Sequence, residues 1–187
     1  MKNYYALVAG MPDLSPDDTK AGFTVEDFKA EYLPGLSAAD RETVTLFFLQ
    51  YDHRNLLARL AEGENAAFDE RGMISREKLD EALEKVKAGD GQGRCLPAYV
   101  YEFVASYPVL KEEAERLPED VLAAAYYHYA ASSKNTFVRD WFLFNRNVNN
   151  ILIALTARKY GFSAAPYLVG EDETTSALAT SGARDFG

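Results

Sequence analysis

The chain has 187 residues, of which 48% are hydrophobic and 13% aromatic. This length and apolar content are enough for a folded domain with a buried core, and they exclude an intrinsically disordered chain. The net charge is −9, which disfavours binding to nucleic acid or to an anionic membrane surface, because both require a basic face. We therefore expect no nucleic-acid partner.

No segment of the sequence has the pattern of a signal peptide or a membrane span. The apolar run near the start, YYALVAG, is shorter than the apolar region of a secretory signal and lacks a cleavage site. No run of 18 uninterrupted apolar residues occurs, so we expect no direct membrane insertion. The lone Cys95 is interpreted as a small buried hydrophobe in a reducing compartment. These features predict a cytoplasmic protein.

Helix-start signals mark the first part of the chain. A hydroxyl residue followed by acidic residues in the next turn, the pattern of an N-cap, occurs at Ser15, Thr24 and Ser37. These signals predict helices over residues 16–20, 24–33 and 38–61. Gly63 is in the position that commonly ends such a helix.

The second half of the sequence is predicted to form longer helices. Two are expected over residues 75–88 and 96–107, separated by the glycine-rich residues 89–93. Pro108 is expected to end the second of them. Neither Pro nor Gly occurs between Pro118 and Gly161, which predicts the longest helix of the chain, or a helix pair with a break at residues 132–135.

A regular apolar period supports this long segment. Apolar or small residues recur about every 3.67 positions, which is a helical period, at Leu122, Tyr126, Tyr129, Ser133, Phe137, Trp141, Phe144, Val148, Ile151 and Leu155. A continuous helix of this length would extend roughly 60 Å. Only residues 4–9 and 72–74 have a faint strand-like pattern. The sequence predicts an all-α helical bundle, with a short β pair as a minor element.

One internal repeat is present. Residues 47–60 align without gaps on residues 142–155, with four identities in 14 positions. The alignment predicts a duplicated helical unit, with repeats at about 38–61 and 133–160, inside a single helical domain over 1–170. Residues 171–187 are predicted to be a polar tail and the start of a truncated C-terminal region.

We find no complete catalytic or metal-binding motif in the sequence. The phosphate-binding pattern GxxxxGK[ST] is absent. A calcium loop over residues 67–78 would need acidic ligands at its ends, where Ala67 and Lys78 stand. Asp52 and His53 are neighbours in a predicted helix, so their side chains point about 100° apart and form no base–orienter pair. We expect no catalytic residue, cofactor or metal site.

Six polar residues in two predicted helices need an explanation: Asp52, Asn55, Asn145, Asn147, Asn149 and Asn150. Asn is a poor helix former, so four within six positions are unusual. One interpretation is that these side chains hydrogen-bond between elements and determine how the repeats pack. The other is that they contact a partner protein.

Several motifs resemble a known family over nearly the whole chain. They are NYYALVAGMPDL at 3–14, YDHRNLL at 51–57, FVRDWFLFN at 137–145, NNIL at 149–152 and LTARKY at 155–160. They are similar to a bacterial family of uncharacterised proteins encoded with V-type ATPase subunits. The Asp-x-x-Asn-Leu pattern resembles, more weakly, the C-type (eukaryotic d-type) subunit family of that ATPase. Trp141, within the third motif, joins the polar residues as a candidate for a structural or partner contact.

The resemblance implies a function that needs no catalysis. C-type subunits are helical funnels that sit on the membrane rotor ring and receive the central stalk. The implied function is a non-catalytic coupling subunit, with the stalk and rotor-ring subunits as partners and peripheral attachment to the inner membrane through the complex. Two alternatives stay open: a helical ligand-binding or regulatory interaction module, and an enzyme of unrecognised mechanism.

Overall fold

A computed structural model describes residues 3–17, 22–89, 96–113 and 116–180. All regular structure within these ranges is helical, and they contain no strand. The all-α prediction is therefore confirmed, whereas the short β pair is wrong: Tyr5–Ala9 forms the helix α1, and residues 72–74 form a bend. The chain divides into two compact units, Met1–Arg76 and Glu77–Gly187. That residues 1–170 act as one domain stays a prediction.

The first unit contains three further helices, α2 (Val25–Glu31), α3 (Ala38–Thr45) and α4 (Leu49–Glu62). Thr24 caps α2 as predicted, since its hydroxyl accepts a 3.1 Å hydrogen bond from the Asp27 amide while the Asp27 carboxylate accepts one from the Thr24 amide. Of the predicted helix over 16–20, residues 16 and 17 form a turn and the rest lies outside the described residues.

The single helix predicted over 38–61 is wrong, because a tight turn separates α3 from α4. The Phe48 amide donates to the Thr45 carbonyl at 3.0 Å, a bond between residues three apart that replaces the helical pattern. The Phe48 ring stacks on Phe28 of α2, with ring centroids 5.9 Å apart. We attribute the break to this contact, which lies outside the reach of local helix signals. Gly63 ends α4 as predicted, at φ 76°.

The second unit contains α6 (Ala98–Glu113), α7 (Pro118–Ala131), α8 (Thr136–Tyr160) and α9 (Glu173–Thr180), and α5 (Arg76–Lys87) begins at the junction of the units. The prediction that Pro108 ends a helix is wrong, since α6 continues through it. A proline inside a helix costs about 3 kcal/mol. Burial of the preceding turns, including Tyr101, Phe103 and Val104, offsets that cost.

The predicted break at residues 132–135 is confirmed, so α7 and α8 form a pair. The Asn135 side chain caps α8 by accepting a 3.2 Å bond from the Val138 amide, and Gly161 ends the helix at φ 76°. At 25 residues α8 is the longest described helix, about 38 Å long rather than 60 Å. The predicted tail begins with α9, whose Leu178 packs against Ala154 of α8; residues 181–187 lie outside the described part of the chain.

Helix α8 is apolar on two faces, and only one of them is buried. The buried face contacts α7 and α9 and contains Phe142, whose ring meets Tyr126 edge-on at 5.3 Å. The other face contains the α8 part of the apolar period found in the sequence, together with Leu152. It is exposed, with exposed fractions of 38–68%, at Phe137, Trp141, Phe144, Val148, Ile151, Leu152 and Leu155. We call these seven residues the α8 stripe.

Two phenylalanines test this assignment of faces. Phe142 is 4% exposed and Phe144 is 63% exposed, although they are two positions apart on α8. In dilute solution we expect Phe142→Ala to lower the free energy of unfolding by about 3 kcal/mol, because it empties a packed site. Phe144→Ala should change it by less than about 0.5 kcal/mol. Urea denaturation measures both, and equal losses would contradict the assignment.

Candidate functional site

A buried carboxylate on α4 holds the loop that follows that helix. Asp52 is 5% exposed, and its two oxygens accept hydrogen bonds from the backbone amides of Met73 at 3.1 Å and Ile74 at 3.0 Å. Gly72 allows this approach, because a Cβ there would overlap Oδ1 of Asp52. These bonds explain why residues 72–74 bend over α4 instead of pairing as a strand.

Asn55, one helical turn further along α4, holds the same loop. Its Nδ2 donates to the Asp69 carbonyl at 2.9 Å, and its Oδ1 accepts from the Asp69 amide at 2.7 Å. The buried amide therefore satisfies both backbone groups of one loop residue. Lys29 of α2 adds bonds from its Nζ to the carbonyls of Glu70, at 2.7 Å, and of Gly72. Sequence reasoning missed Lys29, which carries no local signal.

Burial shifts the pKa values of two ionisable residues that are neighbours on α4, Asp52 and His53. Loss of hydration raises the pKa of Asp52 to about 6, although the Met73 and Ile74 amides and the charge of Lys29 act in the opposite direction. Burial lowers the pKa of His53 to about 4. Because both Asp52 oxygens bond the loop backbone, the geometry gives Asp52 a positioning role for the loop.

Asn150 on α8 makes the corresponding bonds in the second unit. It is fully buried, its Nδ2 donates to the Val169 carbonyl at 2.8 Å, and its Oδ1 accepts from the Val169 amide at 3.0 Å. The Thr175 hydroxyl of α9 lies 3.4 Å from the same Nδ2. Asn150 thus links α8, the loop after it and α9.

Arg146 is a central residue that sequence reasoning missed. Its guanidinium pairs with Asp172 and donates to the Asn147 side chain at 2.9 Å. Gly170, at φ +103°, passes so close that a Cβ there would lie 2.6 Å from the guanidinium. The Thr175 amide donates to Asp172 and is the main cause that lowers the pKa of that carboxyl. In the sequence, the feature that could have pointed to Arg146 is its position between Asn145 and Asn147 in a predicted helix.

The remaining predicted residues lie apart from these loop bonds. The Asn149 side chain bonds the Tyr127 hydroxyl of α7. Asn145 donates to the Trp141 carbonyl of its own helix at 2.8 Å, and Trp141 belongs to the exposed α8 stripe. The structure thus brings Asp52 and Asn55 of α4 to one loop and Asn150 of α8 to another, which Asn147 reaches only through Arg146.

A cavity of about 550 Å3 lies between α7, α8 and the loop after α8. Its walls are mostly apolar and include Phe162 and Tyr167, whose rings meet edge-on with centroids 5.7 Å apart. Asn149 and Arg146 contribute polar groups. The volume is within the range of small-molecule sites. A neighbouring cavity of about 740 Å3 shares Tyr127, Arg146 and Val169 with it.

Two other kinds of site are absent from the ranges that the structure describes. Within those ranges, His, Cys, Asp and Glu side chains form no cluster of three or more suited to a metal ion. Among the same residues no helix is both long and apolar enough to cross a membrane.

The two loop-holding asparagines can be tested by substitution. Asn55→Leu and Asn150→Leu should each lower the free energy of unfolding by roughly 1–3 kcal/mol, because both backbone groups of Asp69 or Val169 lose their partner. Asn145→Leu, whose amide donates to the Trp141 carbonyl of its own helix, is the matched control and should cost less than about 0.5 kcal/mol. Thermal or urea unfolding of the three variants measures the effect. Unchanged stability of the first two would contradict the positioning role.

The opposite pKa shifts of Asp52 and His53 predict a pH dependence. The pKa of Asp52 is raised to about 6. The stability that comes from protonating its carboxyl is therefore fully present below pH 4 and is lost as pH rises through 6. The pKa of His53 is lowered to about 4, so its contribution is present above pH 6.5 and is lost as pH falls toward 4. Between pH 4 and 6.5, Asp52 and His53 therefore change the free energy of unfolding in opposite directions as pH rises.

Asp52→Asn should therefore make the protein acid-sensitive. Its free energy of unfolding should fall, relative to wild type, by roughly 2–3 kcal/mol between pH 6.5 and 4, because the His53 slope is no longer opposed. His53→Gln should show the reverse trend. Urea denaturation across this pH range provides the measurement, and parallel pH profiles for wild type and Asp52→Asn would rule out the shift at Asp52.

The comparisons with known proteins give one match. No curated protein and no solved structure matches the chain. A family model with the description "Protein of unknown function (DUF2764)" matches residues 1–187. Since this match covers the whole chain, the protein belongs to the DUF2764 family.

Proposed function

We propose that the protein is a non-catalytic coupling subunit of the C type, which links the central stalk of a V-type rotary ATPase to its membrane rotor. The observation that carries this proposal is the α8 stripe, on which seven large hydrophobic side chains are 38–68% exposed. Contiguous apolar surface of this kind on a folded protein marks an interaction site. The resemblance found in the sequence supplies the identity of the partners.

The loop-holding asparagines support a mechanical role. Asn55 and Asn150 are aligned in the internal repeat, and each bonds both backbone groups of one residue in the loop after its helix. We therefore propose that the two helices are copies of one duplicated helical unit. A protein that transmits torque needs stiff elements, and a helix joined by buried hydrogen bonds to its own following loop resists local opening.

The charge of the chain supports a basic partner. With a net charge of −9, the protein is attracted to a surface rich in Lys and Arg, and that attraction is screened by salt. The sequence lacks the GxxxxGK[ST] pattern that holds ATP phosphates, so the chemical step is assigned to other subunits of the complex.

Co-expression with the stalk and rotor-ring subunits of the ATPase tests the proposal. We expect a complex on size exclusion that weakens at high salt, and no ATP hydrolysis by the chain alone. Phe144→Glu on the stripe should weaken association at least about tenfold. Val109→Glu on α6, at a position 60% exposed, is the control and should retain it. Failure of the wild-type protein to associate with any of these subunits would reject the proposal.

The cavity between α7 and α8 favours a second candidate function, a helical ligand-binding module. Its volume of about 550 Å3 and its apolar walls with a few polar groups are typical of small-molecule sites. Under this alternative, the wild-type protein would not bind the ATPase subunits. A small apolar compound would instead raise its melting temperature, and Ala123→Phe, which narrows the cavity, would abolish that rise.

A further inference from the structure

We infer that the α8 stripe of the free protein pairs with the stripe of a second copy, with the two α8 helices antiparallel about a two-fold axis near Asn149 and Asn150. This goes beyond the proposed function, because it requires no ATPase subunit and identifies what covers the stripe when the chain is alone.

The size of the stripe suits a dimer contact. From Phe137 to Leu155 it extends about 27 Å along the helix. Its most exposed members are Phe137 at 68%, Phe144 at 63% and Leu152 at 55%. The seven side chains together expose roughly 700 Å2, close to the ~800 Å2 that each partner buries in a standard protein interface.

The composition of the stripe and its edges suits a helix with the same apolar face. No charged residue interrupts the stripe between Trp141 and Leu155. Along one edge lie Asn145, Asn149 and Thr156, whose uncharged polar groups suit the rim of an interface. The opposing surface must therefore be apolar over about five helical turns, and a second α8 provides such a surface.

The charges at the two ends of the stripe determine the orientation. Asp140, which pairs with Arg139 of its own helix at 3.1 Å, is exposed near the start of α8. Arg158 and Lys159 are adjacent near its end, so parallel helices would place two basic ends together. Antiparallel helices place Asp140 of each copy beside the basic end of the other, which gives two favourable contacts by symmetry.

A single register satisfies the apolar and the charged contacts together. With Asp140 opposite Lys159, Val148 faces Ile151 of the second copy and Phe144 faces its Leu155. The same register places Phe137 of one copy near Phe162 of the other. Phe162 is 45% exposed and forms part of the wall of the cavity between α7 and α8. Two exposed aromatic rings thus meet at each end of the contact.

Sedimentation equilibrium of the purified full chain tests the pairing. Wild type should form dimers at about micromolar to tens of micromolar chain. Val148→Glu should raise the dissociation constant at least about tenfold, because it places two carboxylates in the apolar centre of the contact. Val109→Glu, the same change at an exposed position on α6, should leave it unchanged, and circular dichroism confirms that both variants fold. A monomeric wild type, or a dimer unaffected by Val148→Glu, would overturn the inference.

A charge exchange tests the orientation. Asp140→Lys should weaken the dimer several-fold, since it sets two lysines together at each end. Adding Lys159→Asp to that variant should restore wild-type affinity. If the double variant stays as weak as the single one, the antiparallel register is wrong.

The outcome for the dimer can be separated from the outcome for the proposed function. A monomer that still binds the stalk subunits would overturn the second copy as the occupant and leave the function standing. A dimer that binds none of those subunits would support the inference and reject the function.

Discussion

The arrangement of α8, the loop after it and α9 in the second unit depends on the burial of one amide side chain against the backbone of that loop. Asn150 is fully buried and bonds both the amide and the carbonyl of Val169, so a polar group inside the unit is satisfied without water. Because this bond holds the loop against α8, the loop can form a wall of the cavity and Leu178 of α9 can reach Ala154. Asn55 plays the same part for the loop after α4. Without such bonds both loops would carry unpaired backbone groups against an apolar helix.

Local signals predict much of the helical structure, and contacts between distant residues account for most of the rest. The caps at Thr24 and Ser37 and the break at residues 132–135 are predictable because their causes lie within a few residues. The split between α3 and α4 is not, since we attribute it to the contact of Phe48 with Phe28, 20 positions away in the sequence. The candidate site follows the same rule: the asparagines stand out in the sequence, but their bonds to Asp69 and Val169 connect residues 14 and 19 positions apart.

Helix α8 shows a further limit of periodicity. A period of about 3.67 identifies a helix, but it does not say which apolar face is buried when a helix has two. The buried face of α8 carries small residues and amides, such as Ala154, Ala157 and Asn150, where α9 and the loop come close. The face with the larger side chains is exposed. Hydrophobicity alone would have assigned the core to the wrong side.

The exposed face of α8 also has a consequence for the life of the protein in a cell. A copy that has found no partner presents Phe137, Trp141 and Phe144 to water, and surfaces of this kind are what chaperones and quality-control proteases bind. A covered copy escapes both. Copies whose α8 stripe is covered neither by a second copy nor by another subunit should therefore be the ones that are removed.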